Sequence, residues 1–254
     1  MSARATMVST PRADSAMPQT LAGVHRTSVI RYRDPVEGFE GYLAFDGEAN
    51  PLAAGGFRVQ RGLSADTVSR LAEAMTLKQR LLGLGVDGAK CGIDFDPRHP
   101  GKRDAMRRFV DALRPYLLER FSMGPDVGTG WGEIEDVARG QGIPSVKIAI
   151  AKAQGLSERE LIERIGVLDT VLGGATLGDR RAGHGLAHAA LGVGNWTPDL
   201  AGAAPRVAIQ GFGTLGRAAA LSLTEAGLPI IAIADVDSCV HAAGGLPTEA
   251  LFHA

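Results

Sequence analysis

The sequence has few cysteines and no surplus of charge of either sign. Only Cys91 and Cys239 occur in 254 residues, far apart and with no Cys-x-x-Cys spacing. A disulfide framework and a cysteine-ligated zinc site are therefore not expected, and a reducing cytoplasm is the natural setting. Lys and Arg number 27 against 28 Asp and Glu, a net charge of −1. That balance gives no electrostatic reason to expect nucleic acid or an anionic membrane surface as a partner. No apolar run is long enough to cross a bilayer. The first twenty residues are rich in Ser, Ala, Pro and Thr and lack a continuous apolar stretch, so residues 1–20 read as a disordered tail rather than a secretion signal. His184 and His188 have the spacing of zinc ligands on a helix. No glutamate follows the first histidine and no third ligand is evident, so no metal is expected.

What is present is the composition of a globular protein, 45 % hydrophobic and 22 % charged, with enough chain for one large or two ordinary domains. Residues 28–33 and 39–45 read as strands joined by a turn at Asp34-Pro35 and Glu37-Gly38. Asn50 to Gly56 reads as a loop and Phe57–Val59 as a short strand. A helix is expected from Ser64, its N-cap, to about Leu82, with Val68, Leu71, Ala72 and Met75 on one apolar face. Lys78 near its end suits the helix dipole. Residues 103–120 form a second amphipathic helix, divided or kinked at Pro115, with Arg103, Arg107, Arg108 and Arg114 as its solvated face. A Gly-rich loop at 124–130 surrounds Asp126. Ser157 and Glu160 form a capping box for a helix over 157–172, ended by Gly173-Gly174. Residues 183–194 read as a tightly packed helix.

Two stretches carry chemistry. Gly88-Ala89-Lys90-Cys91-Gly92 sets one lysine among small residues, where the backbone can approach a ligand closely. Desolvation there would lower the lysine pKa towards the range useful for proton transfer; a surface turn with a solvated lysine fits the same run. Strand 206–210 leads into Gly211-Phe212-Gly213-Thr214-Leu215-Gly216, then a helix to Gly227, then a second strand, 230–234, ending at Asp235. In this strand–turn–helix context the glycines suit a tight turn, the approach of a pyrophosphate and close helix–strand packing. Phosphates would sit at the helix N-terminus. Asp235 would bond the ribose hydroxyls and repel a 2′-phosphate, which favours NAD over NADP. A nucleotide-free crossover of the same shape is the alternative.

Together these motifs resemble the glutamate/leucine/phenylalanine/valine dehydrogenase family, from about Arg31 to the end of the chain. Gly55-Gly56-Phe57-Arg58 is similar to the family's Gly-Gly-x-Arg. Met75-Thr76-Leu77-Lys78 is similar to its Met-Thr-x-Lys, and Gly88-Ala89-Lys90 to its Gly-(Ala/Gly)-Lys. Lys90 follows Lys78 by twelve residues, as in the family. The resemblance implies an α/β fold in two parts: a substrate and oligomerisation domain over 21–140, then a partial Rossmann NAD-binding domain over 141–254. It implies NAD(P)-dependent oxidative deamination of an L-amino acid to a 2-oxo acid and ammonia, in a cytoplasmic homo-oligomer. It makes Lys90 and Asp126 catalytic, and Gly56, Lys78, Ala54 and Met75 substrate-binding. Gly211, Phe212, Gly213, Thr214, Leu215, Gly216 and Asp235 become cofactor-binding.

Within that resemblance, glutamate-specific members have a lysine where this chain has Ala54, which points to an apolar or aromatic substrate side chain. Asp87 stands where a glycine is usual and would raise the pKa of Lys90 unless it points away. Ala182 stands where a threonine normally helps to seat the nicotinamide amide. The chain stops soon after the second Rossmann strand. These departures make a catalytically incomplete oligomerisation or regulatory subunit the alternative.

Overall fold

The computed structural model describes residues 6–9, 27–172, 175–196 and 205–252. The chain divides into two compact units, Met1–Ile162 and Glu163–Ala254. The division comes later than the expected 140/141, because Ile143 and Val146 are built into the core of the first unit. The expected tail also contributes a strand, β1 (Thr6–Ser9), which pairs antiparallel with β2 (Thr27–Arg33). Among the described residues no helix is long and apolar enough to cross a membrane.

The first unit is built on a six-stranded sheet in the order β1-β2-β3-β5-β4-β6. Its remaining strands are β3 (Glu40–Asp46), β4 (Ala53–Val59), β5 (Asp87–Ile93) and β6 (Phe121–Pro125). β1, β2, β3 and β5 pair antiparallel in that order, whereas β5, β4 and β6 run parallel. Two stretches thus fold differently from expectation. Gly55 and Gly56 lie inside β4 rather than in a loop, and Gly88–Gly92 is a fully buried strand rather than a surface turn.

Side chains alternate across a strand, and this sorts the two faces. Phe57, Val59, Ala89, Cys91, Ile93, Phe121 and Met123 point into the main core. There they meet α2 (Lys102–Ala112), α3 (Arg114–Glu119) and α4 (Trp131–Gly140), through Met106, Phe109, Leu117 and Ile134. Gly56, Arg58, Gly88, Lys90, Gly92, Ser122 and Gly124 therefore belong to the opposite, front face. α1 (Ala65–Leu81) covers part of that front, packing on β3 and β5 with Val68 and Ala72 against Tyr42 and Ala44. Its cap is as expected, Thr67 N donating to Ser64 Oγ at 3.3 Å. Arg108 is not solvated. It donates through Nε to the buried Asp34 carboxylate at 2.7 Å, tying α2 to the β2–β3 turn.

After β6 come α4, α5 (Ile148–Gln154) and α6 (Glu158–Gly166). The capping box of α6 forms as expected, Ser157 N reaching Glu160 Oε2 at 2.8 Å and Glu160 N reaching Ser157 Oγ at 3.3 Å. The helix is shorter than expected: a 3-10 turn over Val167–Asp169 and β7 (Val171–Leu172) follow it. Gly173 and Gly174 lie outside the described residues.

In the second unit β7 pairs antiparallel with β8 (Ala175–Thr176), and α7 spans Leu177–Trp196. β9 (Val207–Gln210) and β10 (Ile230–Ala234) are parallel and are joined by α8 (Thr214–Glu225). β11 (Cys239–His241) adds antiparallel to β10, and α9 spans Thr248–Phe252. Ala187, Ala220, Leu223, Ile230 and Ile233 form the core. A methyl at Gly183 would lie 2.4 Å from Ala218 Cβ, so α7 crosses α8 at a contact only glycine allows.

Candidate active site

β4 lies between β5 and β6, so a residue on its front face has one neighbour strand on each side. Gly56 occupies that position. A Cβ there would lie 2.9 Å from Asp126 Cβ and 3.1 Å from Lys90 Nζ. The missing side chain makes room for an ion pair: Lys90 Nζ is 2.7 Å from Asp126 Oδ2, with the Lys90 side chain only 7 % exposed. Arg58 Nε donates to the same oxygen at 2.8 Å. The structure thus brings together Gly56 of β4, Lys90 of β5 and Asp126 just past β6, and adds Arg58, which belongs to the Gly-Gly-x-Arg motif.

Asp126 leaves the C-terminal end of β6 in a turn that two neighbours fix. Its N–H donates to Thr129 Oγ1 at 3.0 Å, and that hydroxyl donates to Phe57 O at 2.7 Å. Gly128 has a φ of +77°, and a Cβ on it would lie 2.2 Å from Val59 O. Glycine is required on both counts. Burial pushes the Asp126 carboxyl up in pKa, but the hydrogen bonds and charges of Arg58 and Lys90 outweigh this and hold it below the usual carboxylate range. Asp126 is therefore a carboxylate, set to accept a proton from a group beside it.

Asp87 does point away from Lys90, as an offset of three along a strand requires. Its carboxylate accepts from Arg120 Nη2 at 2.9 Å and from Asn50 N and Nδ2 at 3.1 and 2.8 Å. Met75 is half-buried and Lys78 is exposed on the last turns of α1. The buried Thr76 between them donates to Asp46 O at 3.0 Å and accepts Gly88 N at 3.0 Å. This residue fixes α1 against β3 and β5, a role the motif alone did not disclose. Ala54, next to Gly55, pairs with Gly88 and Ser122.

The second unit carries the dinucleotide motif. Gly211 has a φ of +88°, and a Cβ on Gly216 would lie 2.0 Å from Gly211 O, so the first and third glycines serve the turn and the packing. A Cβ on Gly213, the N-cap of α8, meets nothing within 4 Å among the described residues, which leave that backbone open to approach. Phe212 completes the turn, and Thr214 and Leu215 open α8. Asp235 is exposed just past β10, its Oδ1 accepting Val236 N at 2.9 Å. These residues fit a dinucleotide phosphate on α8. Ala182 is exposed on α7. His184 Nδ1 lies 3.3 Å from Ser222 Oγ and its ring meets His188 edge-on at 4.3 Å between centroids.

Two family models match the chain: the Glu/Leu/Phe/Val dehydrogenase dimerisation domain over residues 24–140, and Glutamate/Leucine/Phenylalanine/Valine dehydrogenase over 173–254. The chain belongs to this dehydrogenase family. Relatives within it include the NADP-specific glutamate dehydrogenase A1 of Halobacterium salinarum, 28 % identical over 225 residues, covering 85 % of this chain and 50 % of that protein. The NADP(+)-dependent glutamate dehydrogenase of Pyrobaculum calidifontis is 30 % identical over 219 residues, 84 % of this chain and 48 % of its own. The NAD-specific glutamate dehydrogenase A of Halobacterium salinarum is 27 % identical over 237 residues, 90 % of this chain and 51 % of its own. The chain thus spans about half the length of the curated relatives it matches. The hetero-hexameric glutamate dehydrogenase of Thermus thermophilus, solved in a Leu-bound form, shares the fold at a TM-score of 0.64. It is 24 % identical, and the match covers 90 % of this chain and 54 % of that one.

The electrostatics of the first unit give a pH prediction. Burial raises the Asp34 carboxyl, but hydrogen bonds from Arg108, the Glu37 and Val36 N–H groups and Tyr32 hold it below its ordinary value. Asp126 behaves likewise. A carboxyl depressed on folding contributes stability that is complete above its unfolded pKa of about 3.9 and is lost as pH falls through the folded value. Urea midpoints of the first unit are therefore expected to be flat down to about pH 5 and to fall below it, with a shallower fall in Asp34→Asn.

Proposed function

We propose that the protein oxidatively deaminates an L-amino acid to a 2-oxo acid and ammonia, with a nicotinamide dinucleotide as hydride acceptor. The observation that supports this most directly is the 2.7 Å contact of Lys90 Nζ with Asp126 Oδ2 over the side-chain-free surface of Gly56. When bound, the dinucleotide supplies the oxidising power, taking the Cα hydrogen and its electron pair as hydride. What remains on the substrate is an iminium, and the rest is proton transfer. Lys90 orients a water molecule on the iminium carbon and helps to take up the proton released as the C–O bond forms. Asp126 relays protons to the nitrogen, the C–N bond breaks, and ammonia leaves with the new carbonyl behind it. A pair in hydrogen-bond contact is suited to such a relay, because one partner can hold the proton while the other gives it up. Lys78 holds the substrate α-carboxylate, and Met75 and Ala54 border the substrate.

NAD is favoured over NADP because Asp235 places a carboxylate just past β10, where a 2′-phosphate would be repelled. Taken alone, Ala54 favours an apolar or aromatic side chain. Assembly with further copies of the chain belongs to the same reading. A second reading, ligand binding without turnover, is favoured by the methyl of Ala182, which cannot donate to a nicotinamide amide.

The test is to follow reduced nicotinamide by absorbance with a panel of L-amino acids and either dinucleotide, wild type against Lys90→Ala. Amino-acid-dependent reduction in the wild type, absent from the variant and faster with NAD, is the expected result. Binding of amino acid and dinucleotide with no signal above the variant would favour the second reading.

A further inference from the structure

We propose that Lys147 is a specificity-determining cation of the substrate site, receiving a second carboxylate at the side-chain end of the amino acid. This rests on the dehydrogenase reading above. Lys147 lies in no motif. It is the residue before α5, and the first unit's packing carries it around the edge strand β6. Met123 N donates to Val146 O at 3.0 Å, which holds that segment alongside β6. Ser145 fixes the turn from behind: its hydroxyl donates to the buried Glu135 at 2.8 Å and accepts Lys147 N at 3.1 Å. The ammonium then lies 5.7 Å from the centroid of the Trp131 ring.

The tip of this lysine is at the front of the sheet. A Cβ on Gly124 would have Lys147 Nζ at 3.6 Å and Gly55 O at 3.7 Å. Gly124 is the register partner of Gly56, whose own Cβ position is 3.1 Å from Lys90 Nζ. Paired residues on neighbouring strands sit about 5 Å apart. The ammonium groups of Lys147 and Lys90 are thus no more than about 12 Å apart on one face, with Gly56, Gly124 and Ala54 between the strands and no bulky side chain among them.

The sheet order gives the arrangement its direction. α1, which carries Lys78, packs on β5 and β3, on one side of β4; Lys147 arrives over β6, on the other. Lys90 and Asp126 stand between. An amino acid lying across β4 would have its α-carbon at that pair, its α-carboxylate toward α1 and its side chain toward Lys147. A dicarboxylic amino acid lying this way would present one carboxylate toward each flanking cation. Lys147 would then supply from a helix start the cation that position 54 lacks.

The experiment is calorimetric binding of L-glutamate and of L-norleucine, similar in length but uncharged at its end, to the full chain and its Lys147→Met and Lys147→Arg variants. Wild type is expected to prefer L-glutamate. Lys147→Met should weaken L-glutamate by about tenfold or more while leaving L-norleucine within about twofold, and Lys147→Arg should retain most of the L-glutamate affinity. Unchanged L-glutamate binding in Lys147→Met overturns the proposal, as does an equal loss of both ligands. Preference of the wild type for L-norleucine also overturns it and restores the apolar reading of Ala54. Failure of the wild type to bind either amino acid removes the dehydrogenase reading with it, which distinguishes that failure from the others.

Discussion

Gly55→Ala is expected to prevent the first unit from folding stably. The new methyl would lie 1.6 Å from Ala89 O and 2.4 Å from Ala89 C, and both are backbone atoms of β5. A flexible side chain could swing away; this carbonyl cannot, because β5 is held on its other side by β3. Relief requires separating β4 from β5 at the centre of the sheet, beyond the usual overpacking cost of about 1–3 kcal/mol. Two neighbours calibrate the effect. Gly56→Ala meets Asp126 Cβ at 2.9 Å and the end of Lys90 at 3.1 Å, so it should fold but displace the ion pair. Gly130→Ala meets nothing within 4 Å among the described residues, at a φ of −118°, and should be silent. Trp131 fluorescence in a Trp196→Phe background, followed through urea unfolding, reads the first unit alone. A Gly55→Ala midpoint close to that of Gly130→Ala would show that the two strands can part without cost.

The same glycines mark the limit of what the sequence discloses. Gly55-Gly56 and Gly88–Gly92 have neither the β-branched residues nor the alternation that identify a strand. They are strands because β3 and β6 pair beside them, a long-range fact with no local signature. The rule that glycine punctuates loops fails where two backbones must nearly touch. Arg108 reads as surface by helical periodicity, which cannot foresee a buried Asp34 on a distant turn. The start of the helix expected over 157–172 is legible, since the Ser157–Glu160 box is local chemistry; its end is not, since the chain tightens into a 3-10 turn after Gly166. The dinucleotide turn was the most legible element: its glycines are fixed by φ and by helix–strand contact within six residues. Lys90 and Asp126 come from two separate motif stretches, and the structure shows only that they meet. Lys147 lies in no motif, and it reaches the front of the sheet by tertiary packing around a strand edge.

Asp126→Asn is expected to lower kcat of the proposed reaction by about 10²–10⁴ while leaving the dinucleotide site in the second unit unaffected. Asparagine preserves the shape and can still accept hydrogen bonds from Arg58 Nε and Lys90 Nζ. What it removes is the negative charge to which both cations are bonded, at 2.8 and 2.7 Å, and with it the carboxylate of the proposed proton relay. Lys90 is then a nearly buried cation beside a second cation, which also costs stability; breaking such a pair is worth about 3–5 kcal/mol when fully buried, and less here because the Asp126 side chain is 19 % exposed. The decisive comparison is with Lys90→Met and the double variant. If the two residues act as one relay, removing either stops it, and the double variant should be no slower than the worse single. Losses that multiply would mean that each residue serves a separate step. The acid limb of the pH–rate profile gives a second reading: it should reflect protonation of a carboxyl held below the usual range by Arg58 and Lys90, and should disappear in Asp126→Asn.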